Sequence, residues 1–525
     1  WWTEPVVFQK AVIWSLLFEV SGLGCGFGPL TGRFLPPVGG MLYWLRRGTV
    51  RLPPWGGRIP LTRGTTRTSL DVLLYLALLG AAVWPLLSPA THLTVGLFGP
   101  VFALEPSRLI PLAVLVPLIG LRDKTIFLAA RSEHFWITLL IMFLPFLDMI
   151  VVAKVLMVLI WWSAAVSKLN RLFPFAVATM LSNAPLVPKA LRRRLYRRFP
   201  DDLRPSGLAK MLAHGGTSIE LLVPLVLLVS TDPLVTAAAV LVMVAFHLHI
   251  LTSLPLGVPL EWNIFMIFSL VYLFWGHFSY HVTSATRPWL MVALAVPVLT
   301  MVVWGNFRPD QVSFLLAMRY YTGNWTTSMW ALSPAALEKI DDHTVKYTGF
   351  AKRQLRTIYG EHVAEVLAHK ILTFRAMHHH GRGLFALLPR AAGPEHEEAF
   401  VLEGELVAST VLGWNFGEGL LHNEQLIAAL QERCDFEPGD VRVVILEAAP
   451  ARSNWQAYRL VDAATGELER GHLRVSDMIS RQPWEIDDLP VHPTASSLTR
   501  PARPRARHRA SPSRPHFSRS HAHQP

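Results

Sequence analysis

Cysteine is almost absent from this chain: two residues in 525, Cys25 and Cys434, far apart in sequence. That excludes a disulfide framework and any cysteine-based metal spacing, and leaves free thiols as the expectation. Charge is scarce as well. Asp, Glu, Lys and Arg make up 16% of residues against 51% hydrophobic ones, and the mean hydropathy is +0.34. So few ionic groups among so many apolar runs exclude an ordinary soluble enzyme. No glycine-rich phosphate loop and no Ser/His/Asp arrangement stands out. Acids are missing from the last stretch, where seven of the charges behind the net +12 run from Arg500 to Arg519. The basic balance is therefore partly a tail property, and a nucleic-acid partner is not expected.

What is present is a succession of apolar segments. Val6–Val20 reads as a short span or interfacial helix; it lacks the basic start and small-residue cleavage site of a signal peptide. The chain opens on Trp1, so residues ahead of it are expected. Thr31–Ser69 is a loop rich in Pro, Gly and Arg. Candidate spans follow at Leu70–Leu87, Leu109–Leu121, Phe135–Leu147, Ile150–Ser167, Thr217–Ser230, Pro233–Leu251, Trp262–Trp275 and Trp289–Trp304, with Leu93–Leu104 a further half-span. Tryptophans at segment ends suit interfacial belts.

The fold expected is an all-α polytopic membrane bundle of eight or nine transmembrane helices over 70–304, preceded by an N-terminal segment at 1–69. A small soluble α+β domain follows at 305–490. Within it Gln311–Tyr321, Pro334–Phe374 and Glu424–Cys434 read as helices. Ala399–Val411, Val441–Leu446, Trp455–Val461 and Leu473–Val475 read as strands. The remainder, 491–525, cannot bury a core; it reads as a disordered tail able to touch anionic lipid. The localisation implied is a cell membrane, crossed several times, with membrane lipid as the first partner.

With eight crossings, Thr31–Ser69, Arg122–His134 and Asn170–Lys210 share one side and hold seven, three and nine Lys/Arg, whereas the opposite loops hold Arg108 and Arg287. That bias places the basic loops, and everything after Trp304, in the cytoplasm.

Ionisable residues at membrane depth are functional candidates. Lys168 closes the run WWSAAVSKLN and has two readings. Its charge can snorkel to the interface, or a desolvated amine can serve as a base. Asp148 and Lys154 suit an interface. Glu220, one turn inside a span, needs a partner, which His214 or a lysine from another helix can supply. His247 and His249, two apart on a helix, point to different sides and cannot chelate one metal together. The triplet His378–His380 lacks the accompanying acids or cysteines of a metal site, so no metal is expected.

Four fragments occur in one order: SEHFWITLLIMF, AAVSKLN, LAHGGTSIELLVPLVLL and AFHLHILTSLPLG. Together they resemble the vitamin K-dependent gamma-carboxylase and its relatives, the horizontally transferred transmembrane domain proteins. The likeness covers roughly Leu109 to Tyr280. It implies an enzyme that uses a membrane quinol, with Lys168 as the base that deprotonates it and His134 and His214 as pocket or oxyanion partners. Glu133, Asn170, Gly215, Gly216, Glu220 and His247 would surround the same quinone pocket. Two positions depart from that pattern: Glu133 stands where the carboxylase has asparagine, and one histidine rather than two precedes Gly215. The carboxylase also keeps its site on the non-cytoplasmic side, against the charge bias. The chain further resembles an actinobacterial transmembrane family of unknown function through GHLRVSDMISRQPW. The alternative is a non-catalytic membrane protein, for transport, lipid or partner binding, that retains only the bundle.

Overall fold

The computed structural model describes residues 2–22, 41–94, 100–253, 257–393, 399–414 and 416–498. Cys25 and the stretch from Arg500 to Arg519 lie outside the described residues.

The bundle is built on α1 (Pro5–Val20), α2 (Ser69–Leu87), α3 (Phe146–Lys168), α4 (Phe173–Asn183), α5 (Gly207–Val229), α6 (Pro233–Ser253), α7 (Gly257–Ser269) and α8 (Trp289–Phe307). Local chemistry starts several of them. Asp71 accepts from the Thr68 backbone N–H (2.7 Å), which satisfies one of the donors that a helix start leaves open. Ser206 Oγ does the same for Ala209 at the head of α5.

Among the described residues, five helices are long and apolar enough to cross a membrane: α2, α3, α5, α6 and α8. The expected count of eight or nine is met only in part, and length is the reason. Leu109–Leu121 forms a 13-residue helix (Ile110–Arg122), Phe135–Leu147 holds only the seven-residue Phe135–Ile141, and α7 continues through the π-helical Leu270–Gly276 as a shorter apolar helix, Leu260–Gly276. At 1.5 Å per residue, 13 residues reach about 20 Å, short of the roughly 30 Å of a hydrocarbon core. The half-span at Leu93–Leu104 is instead a two-stranded antiparallel pair, Thr91–Thr94 with Pro100–Ala103.

α3 occupies the centre. Of its most apolar window 83% is buried, against 17–33% for the other four long helices, whose outward faces stay apolar and open. Its stray charges are absorbed locally. Asp148 accepts from the Thr286 and Arg287 backbone N–H groups, and the Lys154 ammonium donates to the His277 and Tyr280 carbonyls.

The C-terminal region is a six-stranded antiparallel sheet with helices on both faces. Its strands are β1 (Thr327–Leu332), β2 (Phe400–Glu403), β3 (Val441–Leu446), β4 (Trp455–Asp462), β5 (Gly466–Arg474) and β6 (Val491–Ser496), in the spatial order β6–β5–β4–β3–β1–β2. The two-residue period shows in β3. Val441, Val443 and Ile445 join the core shared with the bundle, while Val444 and Leu446 pack on the other face with Leu384 and Leu387 of helix His379–Ala392.

Several expectations shift here. Gln311–Tyr321 forms turns rather than a helix, and Pro334–Phe374 breaks into three helices, Pro334–His343, Ala351–Tyr359 and Glu361–Met377. Ala399–Val411 is a strand only to Glu403 and then turns helical (Gly404–Leu412). The fold also runs past the boundary read at 490, because β6 pairs with β5.

The N-terminal segment is not separate from this domain. The Trp44 indole donates to the Leu412 carbonyl (2.8 Å), Tyr43 Oη bonds the Val411 carbonyl, and Gln425 donates to the Pro53 carbonyl.

Candidate functional site

Lys168 is the last residue of α3 and does not snorkel. It is 8% exposed, and its Nζ donates to both carboxylate oxygens of Glu220, 2.7 and 2.6 Å away on α5. Glu220 itself is 4% exposed. The helices are held together at this level by the Trp162 indole N–H, which donates to the Leu221 carbonyl. The lysine partner, not His214, meets the carboxylate.

The pair forms part of the wall of a cavity of about 730 Å³, bounded by α3, α4, α5, α6, α7 and the turns of Phe314–Tyr321. Most of that wall is apolar: Ile160, Ala164, Phe173, Ile219, Phe246 and Met266 are typical. A few polar groups interrupt it, which is the make-up of a small-molecule site. His247 is one. Its Nε2 accepts from the Trp161 indole (3.0 Å), and an indole can only donate, so the ring proton sits on Nδ1 and is given to Asn263 Oδ1 at 2.7 Å. Arg131 is another, and it escaped the sequence reading. Its guanidinium lies 4.9 Å from the Trp262 ring centroid and its Nε donates to Glu133 (2.8 Å). Met211, Leu212, Gly215, Val242 and Ala245 line the cavity and are also exposed on the outer faces of α5 and α6, so it opens sideways between these two helices.

The other sequence candidates divide. Gly215 and Gly216 line the cavity; a side chain at Gly216 would meet the Phe246 ring. Glu133 stands behind Arg131 and accepts from Tyr320 Oη (3.2 Å), so it orients the cavity wall without forming it. His134 is fully buried beside Glu133, edge-on to the Trp262 ring at 4.3 Å, and is not part of the lining. His214 is exposed and turned away from the cavity. Asn170 is structural: its Oδ1 accepts from the Leu172 and Phe173 N–H groups at the start of α4, and its amide donates to the Ser167 and Thr322 carbonyls. Among the described residues no group of three or more His, Cys, Asp or Glu is arranged to hold a metal.

No curated protein and no solved structure matches the chain. A family model described as "Transmembrane protein of unknown function (DUF3556)" matches residues 1–494. A membrane bundle with a central buried helix, a laterally open cavity and a docked sheet domain is thus the architecture of a member of that transmembrane family, to which this chain belongs.

Proposed function

We propose that the bundle cavity takes up a hydroxylated molecule from the lipid phase, a reduced quinone by its chemistry, and that the Lys168–Glu220 pair exchanges a proton with its hydroxyl. The observation that carries this reading is a desolvated amine–carboxylate pair set in the wall of an apolar cavity that opens between lipid-facing helices. With Glu220 in contact, the two side chains act as one unit. The carboxylate takes the hydroxyl proton, and the ammonium offsets the oxyanion left behind. The apolar wall keeps water away from that charge.

A second reading, a lipid-binding bundle without proton transfer, is supported by the match of Lys168 to Glu220 inside the protein itself. Full-length protein in nanodiscs, titrated with a short-chain quinol, separates the two. Quenching of Trp161 and Trp262 reports occupancy, and the ultraviolet absorption of the bound quinolate reports the transfer. Wild type is expected to show both, Glu220→Gln to bind without transfer, and Lys168→Ala to lose transfer and bind weakly. Full binding and transfer by Lys168→Ala would sink the first reading.

A further inference from the structure

The two ends of the α5–α6 pair differ sharply in charge. From 211 to 256 there is no Lys or Arg, and the turn that joins the two helices carries Asp232. At the other end, Lys189 to Lys210 hold eight Lys/Arg and two acids, Asp201 and Asp202. This segment comprises the short helix Lys189–Arg194 and the hairpin Tyr196–Arg198 with Asp202–Pro205, and it runs straight into α5.

Some of its charge is spent internally. Arg204 is paired with Asp202, Arg198 stands 3.6 Å from Asp201, and Arg192 donates to the Val187 and Ala184 carbonyls. Lys189, Arg193, Arg194, Arg197 and Lys210 are exposed, and among the described residues no carboxylate lies within ion-pair distance of any of them. Large apolar side chains stand exposed among them: Leu186 at 72%, Phe199 at the hairpin tip, and Met211, the fifth residue of the lipid-facing α5. Cations interleaved with exposed apolar side chains suit the boundary between headgroups and acyl chains.

The hairpin is also held in place. The Leu203 N–H donates to Gln482 Oε1, the Gln482 amide donates to Asp202, and Arg204 reaches the Ser480 carbonyl, all on the C-terminal domain. The charged surface is therefore presented in a fixed position, and less ordering cost opposes binding.

We propose that Lys189–Lys210 is a docking surface for anionic lipid headgroups, on the membrane face from which α5 enters the bilayer and beside the mouth of the cavity. Continuity with a spanning helix and charge complementarity select the lipid surface as the occupant. The proposal does not depend on proton transfer at Lys168.

The test uses the full chain reconstituted in phosphatidylcholine bilayers with spin-labelled phosphatidylglycerol or phosphatidylcholine. The expected result is a preference for the anionic label on the order of three- to five-fold at low salt, falling toward one at high salt as the headgroup field is screened. K189Q/R193Q/R194Q/R197Q should remove the preference, whereas Arg287→Gln, at the other end of the bundle, should leave it. Equal association of the two labels with wild type overturns the proposal, as does a preference that survives high salt or the four substitutions. Selective capture of duplex nucleic acid with no lipid preference overturns it too. The salt series needs only the wild-type protein, so misfolding of the variant cannot shield the idea.

Discussion

Two buried ionic clusters sit in this molecule, and their surroundings differ. Lys168 and Glu220 meet at the wall of a cavity. Arg375 meets Glu403 (2.9 Å) and Glu405 (2.8 Å) inside the C-terminal domain. Its guanidinium also donates to His380 Nε2 (2.6 Å), whose ring stacks on His378, and Ser328 shares a 2.7 Å hydrogen bond with His422 nearby. A Cβ on Gly404 would collide with Ser328 and His422, and one on Gly381 with the backbone of Arg375. Burial opposes charge on Arg375, yet Glu403 and Glu405 outweigh it and hold the guanidinium above its usual range. Burial, with Arg375 beside them, pushes His378 and His422 down to about 3. A Ser–His contact and a histidine triplet are residue types that catalysis and metal binding also use. Close contacts surround these groups at Gly381 and Gly404, and the pair with a cavity beside it is the better candidate site.

The comparison can be broken in three places. Removing the sealed charge should cost most at neutral pH. Arg375→Met strands the buried Glu403 and the partly buried Glu405, and a loss of about 3–5 kcal/mol is expected in denaturant unfolding of the C-terminal domain. Acid comes next. His378 and His422 are neutral in the fold and titrate near 6.5 when unfolded, so the unfolded chain binds the extra protons. Stability is fully present above about 6.5 and falls by about 2–3 kcal/mol per pH unit toward about 3, which thermal unfolding across that window checks. A flat profile there would mean that these rings are hydrated. The smallest effect is expected at the cavity. Lys168→Met alone leaves Glu220 unpaired at a cost of about 1–3 kcal/mol, while Lys168→Met combined with Glu220→Leu should return to within about 1 kcal/mol of wild type. Quinol binding should be weakened in both.

Much of the bundle was legible because α3 is apolar along its whole length and stops on Lys168. Hydropathy does not separate a helix that spans from a 13-residue one packed against it, and of the expected crossings five meet the length needed among the described residues. Of the two partners that the sequence offers Glu220, His214 in LAHGGTSIELL or a lysine from another helix, the lysine meets it. Six residues at 100° each place His214 and Glu220 about 240° apart around a helix, on different sides. Gly216 and Glu220, four apart, share the cavity side.

Arg131 was counted as a loop charge for orientation. So were Arg51, Arg67 and Arg122, yet all four are buried and face Asp71, Asp123 or Glu133. Charge counting cannot see such pairing, which weakens the orientation it suggested. The RSE spacing before His134 was the available hint of an ion pair.

The last strand of the sheet has a consequence for the protein's solubility. β6 lies at one edge, where unsatisfied N–H and C=O groups would invite another chain to add on. Its sequence, VHPTAS, places Pro493 in that edge, where the ring removes a donor, and the register with β5 shifts between Pro493 and Ala495. An edge that is short of a donor and locally out of step is a poor template. The domain can therefore be crowded against its neighbours at a membrane without polymerising through that edge.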